Sequence, residues 1–160
     1  MPLGKALVTS TRISDMKWQL TISITDVATA IEEGGDLDLY AKKVGQTLYP
    51  EGKEPKHMLP PSISTKELSL LKGQIRNTIS LSLIWSPENG IESSKWSCAK
   101  LMVDKAYTYK EAQEENSEEF LILKQIVNQI ALMPRLTSEE WVETLMVYYN
   151  SEAGKLLKAN

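Results

Sequence analysis

Few residues in this chain carry groups able to do chemistry, and their spacing argues against most of it. His57 is the one histidine among 160 residues and sits between Lys and Met with no Cys nearby, so the ligand spacing of a zinc site is missing. Cys98 is the one cysteine and lies in an alternating apolar stretch beside Trp96, where a thiol is expected as a small buried hydrophobe rather than a nucleophile. A Ser-His-Asp arrangement would have to take His57 from a loop, which positions a catalytic base poorly. The pair Gly34-Gly35 follows a helical stretch rather than a strand, so no phosphate-cradling glycine loop is expected. The carboxylate pairs Asp36/Asp38 and Glu114/Glu115 stand in polar runs and read as solvated. Asp36-x-Asp38 opens like a calcium loop but lacks the later ligands and the required glycine. The expectation is a protein that is not an enzyme, with no catalytic residue, metal or cofactor. A small enzyme built on carboxylates and backbone groups alone stays open as a minor reading.

Charge is the other chemical resource. Residues 40–110 hold eleven Lys/Arg against six Asp/Glu, whereas residues 111–145 hold eight Glu against two basic residues. The cations Lys42, Lys43, Lys53, Lys56, Lys66, Lys72 and Arg76 form a candidate surface for an anionic partner. Such a split suits self-association or contact with an acidic surface, although solvated faces also drift in sign this way. One Arg in that set, few aromatics around it and a net charge of -3 argue against sequence-specific nucleic-acid binding. Weak phosphate contact stays open, as does peripheral contact with an anionic membrane, where each basic residue near the surface contributes about 1 kcal/mol.

The elements that would position these groups follow from periodicity. Trp18 to Asp26 and Asn77 to Trp85 both alternate an apolar residue with Thr, Ser, Gln or Asn, the period of a strand with one buried and one wet face. The first strand runs from about Lys17 to Thr25, with Trp18, Leu20, Ile22 and Ile24 on one face. The second spans Gln74 to Trp85, with Ile75, Ile79, Leu81, Leu83 and Trp85 on one face. Asp26 reads as the cap of a short helix over 27–33, ended by Gly34-Gly35. Leu37, Leu39, Tyr40 and Val44 suggest a second helical turn. Residues 45–65 hold Pro50, Gly52, Pro55, Pro60 and Pro61 and so form neither helix nor central strand. Such a long loop is either a binding loop or a plain connection. Its edge Met58-Leu59-Pro60-Pro61 is expected exposed and apolar if the loop projects. Pro50, Pro55, Met58, Leu59, Pro60 and Pro61 are therefore the candidate self-association residues.

Residues 87–90, Pro-Glu-Asn-Gly, make a turn. The stretch 96–109 fits strand or helix by periodicity, and the pair Tyr107/Tyr109 favours a strand. Helices are expected over 117–133, stopped by Pro134, and over 138–152, opened by the capping-box pattern Thr137-Ser-Glu-Glu140 and ended near Gly154. The four tryptophans read as core and core-edge packing. The expected fold class is α+β, an antiparallel sheet packed on one face by the C-terminal helices. The expected organisation is a leader over 1–16 and a single domain over 17–160. A single Cys favours a reducing compartment, and neither a signal peptide nor a membrane span is legible.

The order of three phrases resembles the core of the rhabdovirus matrix proteins. Thr25-Asp-Val-Ala-Thr-Ala-Ile31 follows the first strand, and Leu71-Lys-Gly-Gln-Ile75 leads into Thr78-Ile-Ser-Leu-Ser-Leu83. Pro60-Pro61-Ser62-Ile63 lacks the Tyr of that family's Pro-Pro-x-Tyr budding motif, which points to the plant-infecting branch. The resemblance implies a non-enzymatic virion protein. It would self-associate, condense the viral nucleocapsid and link it to the membrane, working in the virion and the cytoplasm or nucleus of the host. An intracellular adaptor without catalytic activity is the alternative.

Overall fold

The computed structural model describes residues 6–48, 50 and 52–159, with Thr65 described by its backbone alone. Residues 1–5 of the expected leader and Tyr49 and Glu51 of the expected loop lie outside the described residues. Four strands form one antiparallel sheet in the order β1-β2-β3-β4: β1 (Ala6–Ser14), β2 (Lys17–Thr25), β3 (Ile75–Ser86) and β4 (Gly90–Met102). The helices are α1 (Asp36–Val44), α2 (Tyr109–Glu114), α3 (Glu118–Ala131) and α4 (Ser138–Ala159). This is the expected α+β class with C-terminal helices on one face of the sheet.

The alternation in β2 and β3 produces that packing directly. Their register sets Trp18 opposite Trp85, Leu20 opposite Leu83 and Ile22 opposite Leu81. These six cluster with Ile126 and Val127 of α3 and with Trp141, Leu145 and Tyr149 of α4. Burying each such side chain contributes about 1.5–3 kcal/mol, so the apolar stripe determines which face the helices cover. Along β3 the burial fades toward the start of the strand, where Ile75 is 64% exposed.

The opposite face carries the hydroxyls, and there the structure departs from the expected wet surface. Ser23, Thr25, Thr78 and Ser80 are buried. Ser23 Oγ and Ser80 Oγ lie 2.8 Å apart, Thr78 Oγ1 is 3.4 Å from Ser80 Oγ and donates to Ala99 O at 3.2 Å, and Thr21 Oγ1 meets Ser82 Oγ at 3.0 Å. A hydroxyl can either donate or accept, so these contacts give the buried hydroxyls of the row partners within the protein. Thr25 Oγ1 donates to Leu68 O at 2.8 Å, which ties the segment before β3 to this face.

That segment corrects the expected projecting loop. Leu48 and Lys56 exchange two backbone hydrogen bonds of 2.9 Å, and Met58 N donates to Thr47 Oγ1 at 3.0 Å. The loop is thereby folded back on itself. Leu59 is only 3% exposed, and Leu68 and Leu70 are buried as well. Ile63–Glu67 forms a single π-helical turn closed by Leu68 N to Ile63 O at 2.9 Å. After it, Gly73 N donates to Val103 O at 2.9 Å, and Lys72 bridges Val103 in parallel. The entry of β3 is thus clamped to the exit of β4.

Four further expectations are corrected. Residues 6–14 of the expected leader are the edge strand β1, paired with β2 from Ala6↔Ile24 onward. The predicted helix over 27–33 is one 3-10 turn, Val27–Thr29. Asp26 caps it through Ala28 N at 3.1 Å, but the Thr29 hydroxyl bonds back to Asp26 O at 2.9 Å, a local bond that competes with helix propagation. The strand over 96–109 begins earlier, at Gly90, and ends at Met102. Tyr109 instead opens α2, whose Thr108/Glu111 capping box is complete. Helix α4 runs through Gly154 to Ala159, because one glycine costs only about 1 kcal/mol. Among the described residues no helix is long and apolar enough to cross a membrane.

Candidate functional site

Two concavities stand out among the described residues. The first, about 290 Å³, lies at the end of the sheet where β2 finishes and β3 begins. Its chemistry comes from Asp26, Thr29, Glu67, Arg76, Asn77 and Lys100. Strand pairing assembles it. Asp26 N donates to Asn77 O at 2.9 Å, and Asn77 faces Lys100 in the β3–β4 register. Asn77 Nδ2 reaches Thr29 Oγ1 at 3.3 Å, so the 3-10 turn forms one wall.

Arg76 is held from several sides. Its Nη1 donates to Ile75 O and its Nη2 to Lys66 O, each at 3.1 Å, and Nη2 also bonds the Gln74 side chain. Its Nε is buried and has no partner among the described residues. A guanidinium fixed this way is a stationary positive charge, already stripped of much of its water. Asp26 uses Oδ1 to cap Ala28 N. Among the described residues no ion pair joins Asp26 or Glu67 to Arg76 or Lys100. The concavity therefore holds two acids and two bases that do not neutralise one another by direct contact, together with hydroxyl and amide groups.

The second concavity, about 320 Å³, is apolar and lies between the start of β1 and the helices. Val8, Val103, Tyr107, Phe120 and Trp141 line it. Tyr107 and Phe120 meet edge-on with ring centroids 5.0 Å apart. Lys105 Nζ lies 4.2 Å above the Tyr107 ring, and Lys124 Nζ lies 5.0 Å from the Trp141 ring. The Lys105 pKa is raised, first by its hydrogen bond to Tyr107 and then by the charges of Tyr107, Glu115 and Glu111. Trp141 Nε1 donates to Arg135 O at 3.0 Å, and Ser138 Oγ to Tyr109 O at 2.8 Å. The Trp141 indole and the Ser138 hydroxyl are therefore already committed inside the fold.

The carboxylates with displaced pKa values are all held down, and each by a structural contact. Lys17 and Ser86 hold Glu92 at about 2. Lys42 and the backbone of Gly34 lower Asp38, the Thr108 backbone lowers Glu111, and the Thr137 and Leu136 backbones lower Glu140. Among the described residues no three of His, Cys, Asp and Glu come together as a metal-holding group.

The sequence-predicted residues scatter. Of the seven cations, only Arg76 enters the polar concavity, while Lys66 reaches it through its carbonyl. Lys42 pairs with Asp38 at 2.7 Å on α1, and Lys43 is its exposed neighbour. Lys53 and Lys56 are exposed in the folded-back loop, and Lys72 is exposed at the clamp. Of the six loop residues, Leu59 is buried, Pro50, Met58 and Pro60 are half-buried, and Pro55 and Pro61 are exposed. Cys98 is exposed rather than buried, because β4 is the outermost strand and half of its surroundings are solvent. Lys100, Asp26 and Asn77 were missing from the expected site. The β3–β4 register joins Asn77 to Lys100, and a backbone hydrogen bond just past β2 joins Asp26 to Asn77; no single stretch of sequence displays either.

Comparison with known proteins identifies the family. Residues 3–120 match the RNB domain. The human 3'-5' exoribonuclease HELZ2 is 36% identical over 97 residues, 60% of this chain and 3% of that protein. Mycoplasma genitalium RNase R, solved in complex with ribose methylated single-stranded RNA, overlays all of this chain on 31% of its own, at 16% identity and a TM-score of 0.84. Yeast Ssd1, described as a pseudonuclease, overlays 82% of this chain on 17% of its own, at 18% identity and a TM-score of 0.72. The chain thus spans less than a third of the length of each of these proteins. The RNB match overturns the rhabdovirus matrix resemblance. With it fall the virion setting and the expected partners: the nucleocapsid, the anionic membrane and a second copy of the chain. The phrases behind that resemblance are alternating Thr/Ser strands and a cap, which any antiparallel sheet of this kind can contain. Exoribonucleases and a pseudonuclease both stand among the relatives and neighbours, so likeness alone fixes neither catalysis nor its absence.

Proposed function

The chain belongs to the RNB domain family, and from that premise we propose that it is an RNA-binding module which holds single-stranded RNA without cleaving it. The match over residues 3–120 carries the reading. The relatives supply the ligand class, since human HELZ2 is named as an exoribonuclease and the RNase R neighbour was solved with single-stranded RNA. The absence of cleavage is supported by a neighbour of the same fold described as a pseudonuclease. Arg76 and Lys66 belong to the RNA-facing surface in this reading. Lys42, Lys43, Lys53, Lys56 and Lys72 add diffuse positive charge around it.

Fluorescence anisotropy with an end-labelled oligoribonucleotide tests the binding. The expected result is saturable binding whose log affinity falls against log salt, with a slope of about -0.7 for each phosphate contacted. A denaturing gel of the same mixture is expected to show the oligonucleotide intact. Absence of saturable binding at low salt would refute the binding, and laddering of the RNA would refute the inert role.

A further inference from the structure

We infer that the polar concavity at the sheet end seats one ribose-phosphate unit of the RNA strand, with Asp26 accepting from the sugar 2′-hydroxyl and Lys100 contacting the phosphate. This rests on the RNA-binding reading and names the site and the discriminating contact within it.

The balance of groups selects the ligand. A site for phosphate alone should be uniformly cationic, and a site for a cation uniformly acidic. This one holds Asp26 and Glu67 beside Arg76 and Lys100, and no direct ion pair among the described residues cancels them. A ribonucleotide unit offers both halves of the complement, a hydroxyl that seeks an acceptor and a phosphate that seeks a cation. The volume of about 290 Å³ is of the size class that takes small ligands, roughly 300 Å³ and upward.

The individual residues are ready for these roles. Asp26 spends Oδ1 on Ala28 N, and its other oxygen has no hydrogen-bond partner among the described residues. The carboxylate is held in place by the cap and by Asp26 N to Asn77 O at 2.9 Å. Lys100 is exposed, its position fixed by pairing with Asn77. Arg76 is a positioning residue. Its guanidinium is pinned by the carbonyls of Ile75 and Lys66, so it supplies a fixed positive field rather than a contact. Asn77 Nδ2 already meets Thr29 Oγ1 and keeps a second N–H to offer. The 2′-hydroxyl is the group by which a protein tells RNA from DNA, so this seat predicts sugar discrimination.

The experiment compares an oligoribonucleotide with the same sequence in 2′-deoxy form, by anisotropy, on the wild type, Asp26→Asn and Lys100→Gln. Asn caps a helix about as well as Asp, so Asp26→Asn should keep its melting temperature. The wild type is expected to prefer RNA about tenfold. Asp26→Asn should abolish the RNA preference, bringing the ratio of RNA to DNA affinity to about one. Lys100→Gln should weaken RNA and DNA alike and flatten the salt slope by about 0.7, the loss of one phosphate contact. Folded variants that keep the full RNA preference and the full salt slope would overturn the site while leaving RNA binding standing. A wild type that binds neither oligonucleotide would overturn the RNA reading itself, and this site with it.

Discussion

The two concavities differ in what their groups are free to do. In the apolar one, Trp141, Ser138, Tyr107 and Lys105 are committed to contacts within the fold. In the polar one, a buried guanidinium nitrogen, a carboxylate oxygen and an ammonium are left without protein partners among the described residues. The larger space is a seam between sheet and helices, whereas the smaller keeps polar groups in reserve. Size alone would favour the seam, whereas the uncommitted polar groups are the reason the proposed seat is placed in the other.

Substitutions can break or sharpen that contrast. The largest effect is expected for Trp141→Ala, which empties the seam and removes the bond to Arg135 O. It should cost about 3–5 kcal/mol by urea denaturation, while the folded fraction binds RNA as before. A comparable loss of RNA affinity in the folded protein would end the division of labour. Thr78→Val removes a hydroxyl from the buried row that runs toward the polar concavity. Ser80 and Ala99 O lose a partner, which should cost about 1–3 kcal/mol, with RNA affinity changed less than twofold. Lys105→Met strips the cation from the aromatic seam and should move the melting temperature slightly and RNA affinity not at all, in contrast with Lys100→Gln.

Glu92→Gln touches neither concavity and supplies the zero point. The folded pKa of Glu92 is depressed from 4.5 to about 2. Its contribution to stability is therefore present above pH 4.5 and is lost as pH falls through about 2. Wild type and Glu92→Gln should differ in melting temperature at neutral pH and converge near pH 2, with equal RNA affinity at neutral pH. A gap that persists at pH 2 would remove the Lys17 ion pair as its source.

The legible parts of this molecule are those where a local rule and the tertiary environment agree. β2 and β3 announce themselves because each alternates large apolar residues with hydroxyls along its whole length. α3 and α4 do so through helical spacing and acidic first turns. β1 was hidden because its core-facing positions, Ala6, Val8, Ser10 and Arg12, are mostly small or polar. As an edge strand it is held by its ladder and by bonds such as Ser10 Oγ to Glu119 O at 2.8 Å. α2 was legible and overlooked: Thr108-Tyr-Lys-Glu111 is a capping box, but the flanking tyrosines suggested a strand. The polar site was half-legible, since charge pointed to Arg76. Asn77 and Lys100 come from two strands and meet through register, and Asp26 joins them from the cap just past β2, none of which sequence spacing encodes.

The clamp at Lys72, Gly73 and Val103 has a kinetic consequence. It fastens the open end of the β3–β4 hairpin, so the two ends of a continuous stretch of chain are held side by side while the turn at Gly90 closes the other end. Such a stretch contains most of its own strand partners and needs little help from distant segments to form. The amide protons of β3, which is paired on both sides, should be the last to exchange with deuterium, and a circular permutant with new termini in the 45–58 loop should fold at nearly the parental rate.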